Sequence, residues 1–238
     1  MTAPLRVEQH GAVWTFVLQR ADKRNALSAE LVEQLLAGVT QAHARQAQVL
    51  VFRGEGRNFS AGFDFSDLDQ HSDGDLLLRF VRIEALLQAV AASPCLTVGL
   101  AHGKNFGAGV DLFAVCRRRI AAADASFRMP GLKFGLVLGT RRFGQIVGPE
   151  RAARIQEEAA TFDAAQALAM GFVHELQEPE RWSATVAQAD AGALDDWSRA
   201  ALYRALSTPQ AEADMAALVL SASRPGLRER VRRYLAPA

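Results

Sequence analysis

Cysteine is scarce in this sequence: Cys95 and Cys116 are the only two, each inside an apolar run. Two isolated cysteines argue against a disulfide framework and a cysteine-built zinc site, and they fit reduced core thiols of a cytoplasmic protein. Long hydrophobic runs are missing too. No stretch approaches the ~18 consecutive apolar residues of a membrane helix, and residues 1–10 hold no apolar signal core. Charge of one sign is also absent. The 27 basic and 26 acidic residues leave a formal net charge of +1, which gives no electrostatic case for nucleic acid or an anionic membrane. His10, His43, His71, His102 and His174 are scattered without ligand spacing, so no metal is expected.

What is present is ordinary globular composition, with half of the 238 residues hydrophobic and 22% charged. A chain of this size buries roughly three quarters of its unfolded surface and needs no cross-links. Basic runs at Arg117–Arg119, Arg141–Arg142 and Arg228–Arg233 read first as solvated faces, and Arg117–Arg119 more specifically as charges at a helix C-terminus.

Apolar and polar residues alternate over Leu5–His10 and Val13–Leu18 around Gly11, which predicts a hairpin. Ser28 stands in N-cap position before a helical period that runs to about Arg45. Val49–Arg53, Leu96–Ala101 and Ile120–Ala123 read as short buried strands; Asp75–Ala92 and Gly107–Cys116 read as helices. This alternation predicts an α/β fold with a mostly parallel sheet. Beyond Pro149 the pattern is alanine-rich and helical, through Pro149–Ala159, Asp163–Met170 and about Glu180 to Leu235. The expected organisation is an α/β core over 1–175 and a helical C-terminal region over 176–238 that is not an independent domain.

Two glycine-bearing segments leave buried strands: Asn58 to Asp64 (NFSAGFD) and Ala101 to Leu112 (AHGKNFGAGVDL). Small residues there let the backbone approach a ligand closely. A helix starting near Gly107 leaves its first N–H groups unpaired, and these suit an oxygen that gains negative charge. Asp111 follows Ala108 by three residues and so shares its helix face. Backbone donors beside a carboxylate are what proton transfer next to a carbonyl requires. The alternative for Asp111 is a dipole-stabilised acid in a helix first turn.

In order and spacing these segments resemble the crotonase (enoyl-CoA hydratase/isomerase) superfamily. The resembling stretches are Asn25-Ala26-Leu27 behind Arg20 and Arg24, FSAGFD at Phe59–Asp64, and HGKNFGAGVDL at His102–Leu112. Ile120–Phe127, the Ala165/Ala167/Gly171/Val173 element and Glu229–Leu235 continue the match. The resemblance implies a spiral of ββα units, a C-terminal helical region that serves trimerisation or covers the site, and a homotrimer or dimer of trimers. It implies no cofactor beyond coenzyme A carried on the substrate. By position it implies oxyanion-hole N–H groups on Phe63 and Ala108, CoA contacts at Arg24, Asn25, Ala26, Ala61 and Asp64, and Asp111 as the catalytic acid/base.

The departures bear on chemistry. The second hydratase acid belongs about twenty residues beyond Asp111, where Gly131 stands; a further acid position falls near Gly139; and no Asp or Glu lies between Asp124 and Glu150. One carboxylate suits a proton shuttle between the carbons of an enoyl thioester better than efficient hydration. Thioester hydrolysis and non-catalytic acyl-CoA binding are the alternatives. His102, Arg128 and Arg142 are candidate substrate contacts, each weighed against a structural role. Phe80, Leu86, Leu87 and Val90 could line an acyl pocket or fill the core.

Overall fold

The computed structural model describes residues 3–189, 194–206 and 210–236. Parts of the predicted C-terminal helical tract, 190–193 and 207–209, lie outside the described residues. Strands β1 (Leu5–His10) and β2 (Val13–Leu18) form the antiparallel hairpin around Gly11. Helix α1 (Ala29–Ala44) follows, and the Ser28 hydroxyl accepts from Leu31 N–H to cap it. β3 (Val49–Gly54) pairs parallel with β2; α2 (Asp73–Ala91) then leads to β4 (Leu96–Ala101), parallel to β3.

The chain continues through β5 (Lys104–Phe106), α3 (Ala108–Ala114), β6 (Arg118–Ala121) and β7 (Ser126–Arg128). After a short turn of helix at Gly131–Phe134 come α4 (Thr140–Val147), α5 (Pro149–Glu158), β8 (Thr161–Asp163), α6 (Ala164–Ala169) and β9 (Glu175–Leu176). Helices α7 (Trp182–Ala187), α8 (Asp196–Leu206), α9 (Ala211–Ala222) and α10 (Leu227–Leu235) complete the described chain.

One sheet has the order β1-β2-β3-β4-β6-β9, parallel except for the hairpin; β5, β7 and β8 form a second, three-stranded sheet. The fold is therefore the expected mixed α/β arrangement, with helices dominating the C-terminal part. Its core is rich in phenylalanine: Phe16 stacks on Phe52, and Phe113, Phe127, Phe143, Phe162 and Phe172 form one contiguous aromatic group. Leu218 and Ala222 of α9 and Leu227 and Val231 of α10 belong to this same core, so the C-terminal helices pack back on the α/β part. Among the described residues no helix is long and apolar enough to cross a membrane.

The basic run Arg117–Arg119 follows the C-terminus of α3, as expected, but two of its members are not solvated. Arg117 donates to Ala91 O and Cys95 O and so closes the carbonyl end of α2; Arg119 is buried, donating to Phe172 O at 2.6 Å and Cys116 O at 2.8 Å. These carbonyls lack other partners at element ends, and guanidinium groups satisfy them. Arg118 alone stays in solvent, facing Glu175.

Candidate active site

In parallel sheets, ligand sites form beyond the carboxyl ends of the strands, where the connecting loops gather. β3 and β4 are neighbours, so the two glycine-bearing segments leave the sheet side by side. They are stitched together by Phe59 N–H to His102 O at 3.0 Å, Phe106 N–H to Ser60 O at 3.1 Å, and Lys104 N–H to Asn58 Oδ1 at 2.8 Å. A Cβ on Gly62 (φ +79°) would collide with Phe106 O and stand 3.1 Å from Ala108 N. Only glycine permits this approach, and it sets the Gly62–Phe63 peptide against the start of α3.

Both expected donors are free. Phe63 forms a bridge with Leu27 in which Leu27 N–H donates to Gly62 O and Asp64 N–H to Leu27 O, so Phe63's own N–H points the other way. Ala108 is the first residue of α3, after Gly107 at φ +47°, and its N–H has no intrahelical acceptor. Neither N–H has an acceptor among the described residues. The Phe63 ring is fixed between Phe80, at 4.2 Å between centroids, and the Arg79 guanidinium, also 4.2 Å away; Arg79 in turn donates to Asp64 O. Phe63 and Ala108 line a cavity of about 500 Å³, together with Asp111, Phe80, Leu136 and Leu138.

Asp111 is 3% exposed and its Oδ1 has no hydrogen-bond partner. Burial pushes its pKa well above the usual carboxylate range; the Arg142 charge opposes the shift and the Glu84 charge adds to it. Gly139 (φ +65°) closes against this carboxylate, and a Cβ there would overlap Oδ1. Glu84, from the buried face of α2, is held by Arg142 of α4. Arg142 also meets Asp214 at 3.2 Å, and Arg141 Nε donates to Asp214 at 2.7 Å.

Of the expected CoA contacts, Arg24, Ala26, Ala61 and Asp64 line the cavity, with Asp22, Lys23 and Arg24 on an exposed turn at its mouth. Asn25 does not reach it. It is fully buried, accepts from Arg20 N–H at 2.9 Å and donates to Glu55 O and Asn58 O, both at 2.8 Å. With its amide fully used, Asn25 braces the two loops from within. Asp64 pairs with Arg20 at 2.7 Å and accepts from the Ser66 hydroxyl and N–H. Burial would raise its pKa, but Ser66 and Arg20 outweigh that and hold it below the usual value.

The three proposed substrate contacts lie away from the cavity lining. His102 binds Gly56 O at 2.8 Å and meets the Trp182 ring edge-on in a separate cleft. Arg128 Nε caps the end of α5 at Ala159 O, 2.8 Å away. Arg142 is committed to Glu84 and Asp214, and it acts on the site only through its charge. Among Phe80, Leu86, Leu87 and Val90, only Phe80 lines the cavity; the others are core.

Sequence reasoning missed Glu84, Gln156 and the pair Tyr234–Leu235, the last three of which line the cavity. Glu84 carried a signal: it is a lone acid on the apolar face made by Phe80, Ile83 and Leu87. Acids among the lining residues are Asp22, Asp64 and Asp111, and Gly131 occupies the stretch where a second inner acid was looked for.

Comparison with known proteins shows the family and the fold. The family model Enoyl-CoA hydratase/isomerase matches residues 8–214. A provisionally named enoyl-CoA hydratase of Mycobacterium tuberculosis is 35% identical over 76% of this chain and 75% of its own length. One from Bacillus subtilis, also provisionally named, is 32% identical over 71% of this chain and 66% of its own. A Bordetella parapertussis crystal structure, provisionally named as an enoyl-CoA hydratase/isomerase, superposes with TM-score 0.96 at 56% identity over the full length of both chains.

Proposed function

Because the chain belongs to the enoyl-CoA hydratase/isomerase family of the crotonase superfamily, we propose that it shifts the double bond of an enoyl-CoA thioester by a single-carboxylate proton shuttle. The thioester oxygen sits between Phe63 N–H and Ala108 N–H. Removing a proton next to the carbonyl puts negative charge on that oxygen, and the two preorganised donors stabilise it. Asp111 takes the proton from one carbon and returns it to another, so the proton is conserved within the pair and no water is consumed. A carboxyl whose pKa is raised by burial is a stronger base once ionised than an exposed one, and it holds its proton more readily for return. The adenosine and phosphate end of CoA lies at the mouth beside Lys23 and Arg24, with no further cofactor.

The observation that carries this reading is that, among the described residues, Asp111 is the inner cavity's sole acid: Asp64 is tied to Arg20, and Asp22 sits on the exposed mouth. Efficient hydration calls for a second group to orient water, and Gly131 offers none. The family resemblance also supports assembly as a trimer or dimer of trimers, and a cytoplasmic location fits the sequence. The test is turnover of 3-enoyl and 2-enoyl thioesters of several chain lengths, with hydrated product and released CoA thiol measured alongside. Conversion of 3-enoyl to 2-enoyl thioester as the main reaction is the expected result. Thiol release as the main reaction would assign the same donors to hydrolysis, and binding without turnover would make the protein a carrier.

A further inference from the structure

Gln156, in α5, is a polar side chain in an otherwise apolar part of the cavity wall. It is 3% exposed and lines the same cavity as Phe63, Ala108 and Asp111. A carboxamide offers two N–H donors and two acceptor lone pairs. Among the described residues, this one makes a single weak contact, Nε2 to Met129 Sδ at 3.9 Å. Its oxygen and second N–H have no protein partner. Thr140, at the start of α4, lines the same cavity, and its hydroxyl also makes no hydrogen bond. Both groups open to the cavity, and a ligand that displaces water from them loses affinity unless it offers them a hydrogen-bond partner of its own.

The charge of that partner can be narrowed. Among the described residues, the only basic ones lining the cavity, Lys23 and Arg24, belong to the exposed turn at the mouth. A carboxylate on the far part of an acyl chain would be buried without a counter-ion, which is strongly unfavourable. An uncharged oxygen meets no such barrier: a hydroxyl can use both ends of the amide, and a keto oxygen can accept from its N–H.

Resting on the thioester reading above, we infer that the preferred substrate carries a hydroxyl or keto oxygen on its acyl chain, and that the Gln156 amide selects it. Gln156 is thus a specificity residue, separate from the oxyanion donors and the acid.

The test is calorimetric titration with saturated, unreactive CoA thioesters of equal chain length, plain or bearing a hydroxyl or keto group at successive carbons. At one position the oxygenated thioester is expected to bind about five- to tenfold more tightly than the plain one, the worth of one net hydrogen bond. Gln156→Met, of similar volume, is expected to abolish that preference, leave affinity for the plain thioester unchanged, and melt at the same temperature or higher. Equal affinity across the wild-type series, or an unchanged preference in Gln156→Met, overturns the inference while leaving the thioester reading intact. A lowered melting temperature with loss of plain-thioester binding makes Gln156 structural and also overturns it. Failure of every thioester to bind overturns both.

Discussion

Asp111 works as acid and base because its surroundings disfavour its charge. Its folded-state pKa lies above that of an unfolded Asp, chiefly through burial. The protonated form is thus the one that favours folding. That stabilisation is complete below the ordinary Asp range near ~3.9 and is lost as pH rises through the raised value. Asp111→Asn is therefore expected to melt higher relative to wild type as pH increases, while turnover falls ~10²–10⁴-fold. Thermal melts from about pH 4 upward check the first, and a gap independent of pH over that whole span would contradict it. Activity should itself rise with pH through the raised value, since proton abstraction needs the ionised form. Gly62 is the other residue on which the site depends. Gly62→Ala places a methyl against Phe106 O at φ +79°, and is expected to weaken thioester affinity at least tenfold and to lower stability by about 1–3 kcal/mol. Both residues were legible in the sequence because strand-end glycines and an acid one helical turn from a backbone donor form a local pattern. The direction of the Asn25 side chain was not legible, because its motif marks a position without saying which way the side chain turns; it turns inward.

At the scale of elements, the site depends on α2 and α4 being held together. Their tie is the Glu84–Arg142 pair, almost fully buried on the Glu84 side. Arg142→Leu leaves Glu84 buried without its cationic partner, and is expected to cost about 3–5 kcal/mol, read as a fall in the urea midpoint. It also removes the positive charge that restrains the Asp111 pKa, so the acid limb of the pH–rate profile should move to higher pH. An unchanged midpoint would show the pair to be replaceable. This tie was hidden in the sequence because its partners lie 58 residues apart, and spacing rules reach only one or two helical turns. The short strands β5, β7 and β8, three residues each, escaped for a related reason: a two-residue period cannot be recognised over three positions. The hairpin, α1, β3, β4 and α2 were long enough to show their periods, and they stand close to where the pattern put them. The place of Arg117–Arg119 at a helix C-terminus was legible, but the burial of Arg117 and Arg119 was not, because it follows from carbonyl groups that only the folded chain brings near.

For the molecule as a whole, α10 joins the end of the chain to the beginning of α2. The Asp73 carboxylate accepts from the N–H groups of Gly226, Leu227 and Arg228 at 3.0, 3.1 and 2.8 Å, and α10 carries Tyr234 and Leu235 to the cavity wall. These hydrogen bonds, led by the one from Arg228, hold the Asp73 pKa below its usual value. Its stabilisation is present above the ordinary Asp pKa and is lost as pH falls through the lowered one. Asp73→Ala is expected to cost about 1 kcal/mol, as for a lost helix cap. It should also weaken thioester binding several-fold at neutral pH, measured by calorimetry, while leaving Asp111 chemistry intact once substrate saturates. The central claim concerns the proton moved inside that cavity, and proton NMR of a 3-enoyl-CoA thioester in D₂O follows it directly. Wild type is expected to shift the double bond with deuterium entering at the exchanging carbons, and Asp111→Asn to bind the thioester yet exchange ~10²–10⁴-fold more slowly. Undiminished exchange in Asp111→Asn, or none in wild type, would contradict the account.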